Sequence, residues 1–350
     1  MSPRDPTQLL PRMVARLGMS TFNGASRFDF IDTLPELRPV ERGGAAEAQA
    51  QAAELVRLVR EHAVRHQPAP TSFPALAMRV MDRTQDRRAG VDQIVSLVAQ
   101  DAAVSSSVLR ATNSSLYRRS GPAVINVKTP VAQIGLDEVR RIAAAVAARS
   151  LYDLELVSEF ELFAGRWSDL FHRSMTVAFS AGWLAAQNAS GAPERAFLGG
   201  MFHDIGKTLA LRSLSALVMG GQVAPAPADA AVSALLEEVH VDIGVAMHLA
   251  WSLPDDLTAI CRHHHAREFP EGVPVDLHVV RICSALADLQ LSPAAAPDAA
   301  DTVRDCIRRL DLSFKQYRLL TARITAFSEQ VASMFGLDSA PGDAPAAARS

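Results

Sequence analysis

The sequence predicts an all-α protein, and three observations carry that prediction. Apolar residues recur at three- and four-residue spacing in one segment after another, the pattern of amphipathic helices. Over residues 70–150 no stretch shows the sustained apolar–polar alternation of a half-buried strand. Prolines, glycines and Asp, Ser or Thr capping residues fall between the apolar stripes, where helices start and stop. With 350 residues, 49% of them hydrophobic, the chain is long enough for two modest domains or one large one.

In chain order, residues 1–44 hold three prolines in the first eleven positions and more Pro and Gly near their end, which predicts a poorly ordered arm. A helix is expected over 45–66, with Leu55, Val56, Val59 and Ala63 on one face, before the proline-rich breaker 67–74. Short stripes follow at Leu76, Val80 and Met81, and then at Val91, Ile94, Val95 and Val98. Asp101 is placed to cap a helix carrying Val104, Val108 and Leu109. Thr129 and Pro130 read as a cap and first-turn proline, and Val139, Ile142, Ala143 and Val146 form the next apolar face.

A second block is predicted as helices over 167–186, 195–214, 232–251, 255–264 and 275–289, with 220–229 as a connection. After an Ala/Pro linker at 292–300, two C-terminal helices occupy 301–336, and 337–350 reads as a disordered tail. Ser313 caps the last helix, whose stripe Tyr317, Leu320, Ile324, Phe327 and Val331 either packs back on the second block or forms a homodimer seam. Trp167 and Trp183 are expected as core anchors, Met175, Met201 and Met247 as core fillers, and Trp251 with Pro254 as an elbow between helices.

A formal net charge of −3 gives no electrostatic footprint for nucleic acid. The basic clusters Arg79, Arg83, Arg87 and Arg88, Arg118 and Arg119, and Arg140 and Arg141 read as solvated helix faces. Three widely spaced cysteines, Cys261, Cys283 and Cys306, fit buried thiols in a reducing cytoplasm rather than a disulfide framework. No apolar run approaches the roughly 20 residues of a membrane span.

The chemistry concentrates in FLGGMFHDIGKTLAL, residues 197–211. The adjacent His203 and Asp204 offer an imidazole nitrogen and a carboxylate to one divalent ion, and Lys207, four residues after His203, offers a point charge to an anion. Three further pieces follow in order: HVDIG at 240–244, WSLP at 251–254, and the run His263, His264, His265. Imidazoles from separate helices converging with one carboxylate make a transition-metal site. An isolated His-Asp dipeptide or a polar helix end explains each piece taken singly; the ordered set is what carries the signal.

This order resembles the HDOD family (HD-related output domains), bacterial signalling modules related to the HD and HD-GYP phosphohydrolases. The resemblance also covers SFPALAMRVMDRTQD at 72–86, SLVAQDAAVSSSVLRATNSSLY at 96–117 with Asn113, Ser114 and Tyr117, and TPVAQIGLDEVRRIA at 129–143. It implies an HDOD domain over 70–290, with an N-terminal helical lobe at 70–155 and a divergent HD-type bundle at 156–290. Compared with the related enzymes, Arg173 stands where an early histidine ligand belongs, with His172 one place before it, and Ser284 stands where the closing Asp belongs, with Asp288 one turn later. A guanidinium repels a metal ion and a serine is a weak neutral ligand. The Gly-Tyr-Pro hallmark of the cyclic-dinucleotide branch is replaced by AREFPEG after the His run.

The resemblance therefore implies a non-catalytic regulatory module that binds signalling proteins or a small signalling nucleotide. Its cofactor content is expected to be nil, or at most one divalent transition metal on His203, Asp204, His240, His264 and His265. The competing expectation is a metal-dependent phosphohydrolase of a nucleotide or phosphate ester. In that case His172 or Asp288 replaces a missing ligand and Lys207 meets the phosphate.

Overall fold

The computed structural model describes residues 45–66, 102–114, 116–117, 133–152, 162–188, 192–291 and 298–337. Expectations for the arm, the stripes over 76–98, the Asp101 and Thr129 caps, the 72–86 segment, most of the arginine clusters and the tail beyond 337 lie outside these residues. Among the described residues there is no strand, and eleven α-helices follow one another. They are α1 (Ala45–Arg65), α2 (Ala102–Asn113), α3 (Leu136–Tyr152), α4 (Ala164–Gln187), α5 (Pro193–Phe202), α6 (Ile205–Met219), α7 (Asp229–Ala250), α8 (Asp255–His263), α9 (Asp276–Leu291), α10 (Ala299–Arg309) and α11 (Phe314–Phe335). None of these is long and apolar enough to cross a membrane.

Two compact units divide the chain, and the long helices α4 and α11 each contribute to both. One unit gathers Met1–Arg65 and Thr176–Thr325, the other His66–Met175 and Ala326–Ser350.

In the second of these, α2 and α3 bury Val108, Ala111, Val139 and Ile142, while Trp167 and Phe171 line the buried side of α4. Phe171 meets Phe335 edge-to-face at 4.7 Å, the arrangement that aromatic quadrupoles favour. The Asn113–Ser114–Tyr117 stretch ends α2 with its polar atoms satisfied locally. Asn113 Nδ2 donates to the Leu109 carbonyl, Ser114 Oγ to that of Ala111, and Tyr117 Oη to Glu138 on α3. Gln133 donates back to the Tyr117 carbonyl at 3.0 Å. Arg140 and Arg141, expected on a solvated face, are instead buried and half-buried, and they pair with Asp137 and Glu138 one turn earlier, each at 3.0 Å.

In the first unit, α4 to α9 surround Phe179, Phe197, Phe202, Leu214, Leu235 and Ile260, all fully buried. Burying each such side chain contributes roughly 1.5–3 kcal/mol. Helix α1 packs on α6 and α7 through Ala52, Leu55 and Val59. The Ser313 cap is present and reciprocal: Gln316 N–H donates to Ser313 Oγ, and Ser313 N–H donates to Gln316 Oε1, a capping box. The stripe of α11 packs back on the chain, with Leu320, Ile324, Phe327 and Val331 buried. Trp167 and the three methionines are buried as expected, whereas Trp183 is half-buried and carries the Arg323 guanidinium 5.7 Å from its ring. All three cysteines are buried thiols.

One expectation fails in a way that matters. The single helix over 195–214 is two helices, broken at His203–Asp204. The apolar stripe runs across the break, so periodicity alone hides it. The elbow at 251–254 closes by a Schellman pattern, with Leu253 N–H bonding the His248 carbonyl and Ser252 N–H that of Leu249. Ser252 takes the left-handed position at φ 52°.

Candidate metal centre

The break between α5 and α6 decides what Asp204 does. It occupies the N-cap of α6, a position its residue type favours, yet its side chain makes no cap hydrogen bond. The carboxylate turns instead toward His203, Lys207, His240 and His264.

Two glycines bring the helices close enough for this meeting. A Cβ on Gly206 would lie 1.8 Å from the His240 carbonyl oxygen, and one on Gly244 would lie 2.9 Å from Cys261 Sγ. The Ile-Gly steps of HDIGK and HVDIG are therefore where α6 and α7 touch backbone to backbone, an approach only glycine permits.

The ligand atoms of Asp204, His240, His264 and His265 lie within 4.8 Å of one another. Asp204 Oδ1 is 3.5 Å from His240 Nε2 and 3.3 Å from His264 Nε2, and the two nitrogens are 3.3 Å apart. An ion about 2.0–2.1 Å from each of three tetrahedral ligands sets them about 3.3 Å apart. The triangle has the dimensions of one face of such a site.

The tautomers agree with this. His203 Nδ1 lies 2.8 Å from the Gly200 carbonyl, His240 Nδ1 2.9 Å from that of Leu236, and His264 Nδ1 2.7 Å from that of Cys261. A carbonyl only accepts, so each Nδ1 carries a proton, which leaves Nε2 as the nitrogen turned toward Asp204. Burial pushes the His264 imidazole down to about 4, so at neutral pH its Nε2 faces His240 Nε2 as a lone pair. A divalent cation would join the two nitrogens. Main-chain carbonyls holding the far nitrogen are also the usual support of metal-bound histidines. The donor set, imidazoles plus one carboxylate, suits a transition ion over Mg²⁺ or Ca²⁺.

His203, Asp204, His240 and His264 are buried, and His265 stands at the solvent edge. His203 lies outside the four-residue group: its Nε2 is 3.6 Å from Asp204 Oδ2, and its ring meets that of His264 edge-on. Lys207, also buried, has its ammonium 3.2 Å from Asp204 Oδ2 and 2.8 Å from Glu237 Oε1. A buried ammonium requires such partners, so its charge is shared between two carboxylates of the chain. Cys261, packed beside the site, keeps its proton because burial, and then the Asp204 charge, push the thiol up to about 12.

The positions that depart from the related enzymes lie on α4 and α9. Ser284 is buried on α9, with Asp288 half-buried one turn later. Arg173 is half-buried on α4. His172 belongs to the other unit, where its Nε2 lies 2.9 Å from the Ser328 carbonyl and 3.2 Å from Ser328 Oγ. Sequence reasoning missed Glu237, His248 and Arg281. His248 Nε2 lies 3.4 Å from the Phe202 carbonyl at the helix break, and Arg281 donates to the His264 carbonyl at 3.0 Å. A charged residue inside the apolar run VVRICSALA was the available signal for Arg281.

A helical bundle with histidines from two helices and a helix junction gathered on one aspartate defines a protein of the HD-like class. The model of the HDOD domain matches residues 71–267, and the chain belongs to that family. Among solved structures, a protein of Shewanella amazonensis SB2B, provisionally named a metal-dependent phosphohydrolase, is similar with TM-score 0.59 and 20% identity over 81% of this chain and 99% of its own. An HDOD domain protein with unknown function from Geobacter sulfurreducens gives TM-score 0.57 and 20% identity, with the same two shares of 81% and 99%. A protein of Marinobacter aquaeolei VT8, provisionally named for signal transduction, gives TM-score 0.50 and 16% identity over 85% of this chain and 66% of its own. These likenesses show the fold. Among curated proteins no match is found.

Proposed function

We propose that this chain is a non-catalytic signal-transduction module of the HDOD type, holding one divalent transition-metal ion on Asp204, His240, His264 and His265. It acts by binding a signalling protein or a small signalling nucleotide. The observation that carries the reading is the count and placement of donors. One set of Nε2 and carboxylate atoms converges at distances suited to a single ion, while Arg173 and Ser284 occupy the sequence positions where the related enzymes close a larger site. When bound, the ion supplies Lewis acidity and positive charge. The chain's own residues hold the histidines in one tautomer, keep most of the site dry and satisfy the Lys207 ammonium internally. That last pairing removes the most obvious phosphate contact. Family membership and the similarity to a signal-transduction protein support the signalling role.

The second reading, a phosphohydrolase of nucleotides or phosphate esters, is favoured by the His265 edge, where a water has access to the ligand group. The test is hydrolysis of bis(p-nitrophenyl) phosphate and of cyclic dinucleotides by the full chain supplied with Mn²⁺, Co²⁺, Ni²⁺ or Zn²⁺. The proposal expects no turnover above the metal-only control. Turnover abolished by His264→Ala would establish the hydrolase instead.

A further inference from the structure

Arg281 is 4% exposed, between the fully buried Val280 and Ile282 of α9, and a charge buried this deeply needs full compensation. Its three donor nitrogens are all engaged. Nε donates to the His264 carbonyl at 3.0 Å, Nη2 to the Ala266 carbonyl at 3.0 Å, and Nη1 to Asp305 Oδ2 at 2.9 Å. The guanidinium also lies 4.6 Å from the Phe269 ring centroid, within cation–π range. Asp305 belongs to α10 and accepts a second bond, from Arg309 at 2.8 Å. Arg309 lies 4.8 Å from the same Phe269 ring.

The carbonyls of His264 and Ala266 follow the end of α8, where a helix leaves its last acceptors without intrahelical donors. The ring of His264 is the one whose Nε2 sits 3.3 Å from both Asp204 Oδ1 and His240 Nε2. A planar fork that fixes two carbonyls and a carboxylate at once cannot be reproduced by a single ammonium. We infer that Arg281 is a positioning residue: through Asp305 it links helix α10, which lies beyond the matched HDOD segment, to the main chain that presents His264 and His265 to the cation. Helix α10 is then the handle by which an event on the C-terminal helices changes the ligand site. This rests on the metal-site reading above, and its test separates the two.

The experiment titrates the metal-free full-length chain with Co²⁺, following the visible d–d bands, and measures amide exchange over 258–268 without metal. For Arg281→Met, the expected result is Co²⁺ affinity lower by about tenfold or more, the usual scale for losing support around a ligand. Shifted bands and faster exchange at the end of α8 accompany it. Arg281→Lys restores only part of the affinity, and Asp305→Asn, a milder change at a half-exposed position, shows a smaller loss in the same direction. It also serves if Arg281→Met fails to fold. Phe269→Leu, which leaves every Arg281 hydrogen bond in place, binds Co²⁺ like the wild type. Unchanged affinity, bands and exchange in both Arg281→Met and Asp305→Asn would overturn the inference. An equal loss in Phe269→Leu would overturn it too, by assigning the effect to packing around that ring. If the wild type takes up no Co²⁺ while the exchange of 258–268 still rises in Arg281→Met, the metal reading fails and the positioning role stands.

Discussion

Two polar clusters in this chain look alike in sequence and differ in kind. At the end of α2, the Asn113–Ser114–Tyr117 stretch, with Gln133 and Glu138, pairs donors with acceptors from its own backbone and from α3. That network is complete as it stands. At the α5–α6 break, His203, His240 and His264 also bond main-chain carbonyls through Nδ1, which turns their Nε2 atoms toward one carboxylate. The ammonium of this cluster, Lys207, meets the carboxylates of Asp204 and Glu237, and the converging Nε2 atoms are what a metal ion would join. A polar motif is structural when its donors and acceptors balance, and it is a ligand site when acceptors are in excess and aimed at one point.

The largest expected effect tests what brings the second cluster together. Gly206→Ala places a methyl against the His240 carbonyl, 1.8 Å from its oxygen before relaxation, and should cost about 3 kcal/mol or more in a urea titration. Metal uptake should fall with it. A wild-type midpoint in this variant would mean that α6 and α7 do not need the close approach.

His248 sharpens the comparison, because it is a buried imidazole that bonds a carbonyl yet belongs to neither cluster. Burial lowers its pKa to about 4 from 6.5, and the bond to Phe202 opposes the shift only in part. Because the unfolded chain binds the proton first, this stability is present above pH 6.5 and is lost as pH falls toward 4. The loss amounts to about 3 kcal/mol for a shift of this size. His248→Gln should flatten the stability profile of the metal-free chain in that window, and an unchanged slope would assign the acid sensitivity to other groups.

Smaller effects separate the clusters directly. Saturating Co²⁺ at a hundred times its Kd should stabilise the wild type by about 2.7 kcal/mol and His264→Ala not at all. Tyr117→Phe should lose about 2 kcal/mol, the scale of a hydrogen bond to a charged group, while keeping the full Co²⁺ effect. Calorimetry with and without metal reads both. If Tyr117→Phe also loses the metal effect, the two clusters are not independent.

The helices were legible because each carries a stripe that tertiary packing then uses: Leu55 and Val59, Val139 and Ile142, Leu320 and Ile324 are all buried where their spacing placed them. The donors were legible from the order of motifs. What remained hidden were relations between distant residues. Nothing local marks Glu237 as the partner of Lys207, thirty residues apart, or Arg281 as the support of His264. The helix break was signalled only by Asp204 as a cap ahead of an apolar run, a signal the continuing stripe outweighed. The two Ile-Gly steps were visible. Glycine inside a helix costs about 1 kcal/mol against alanine, and only the fold shows what it secures, the backbone contact of α6 on α7.

The most direct test of the central claim is native mass spectrometry of the full chain, purified without chelator and supplied with Zn²⁺ or Co²⁺. The account predicts one retained ion per chain, lost in His240→Ala and His264→Ala. Two ions per chain, or one that survives both substitutions, would contradict it.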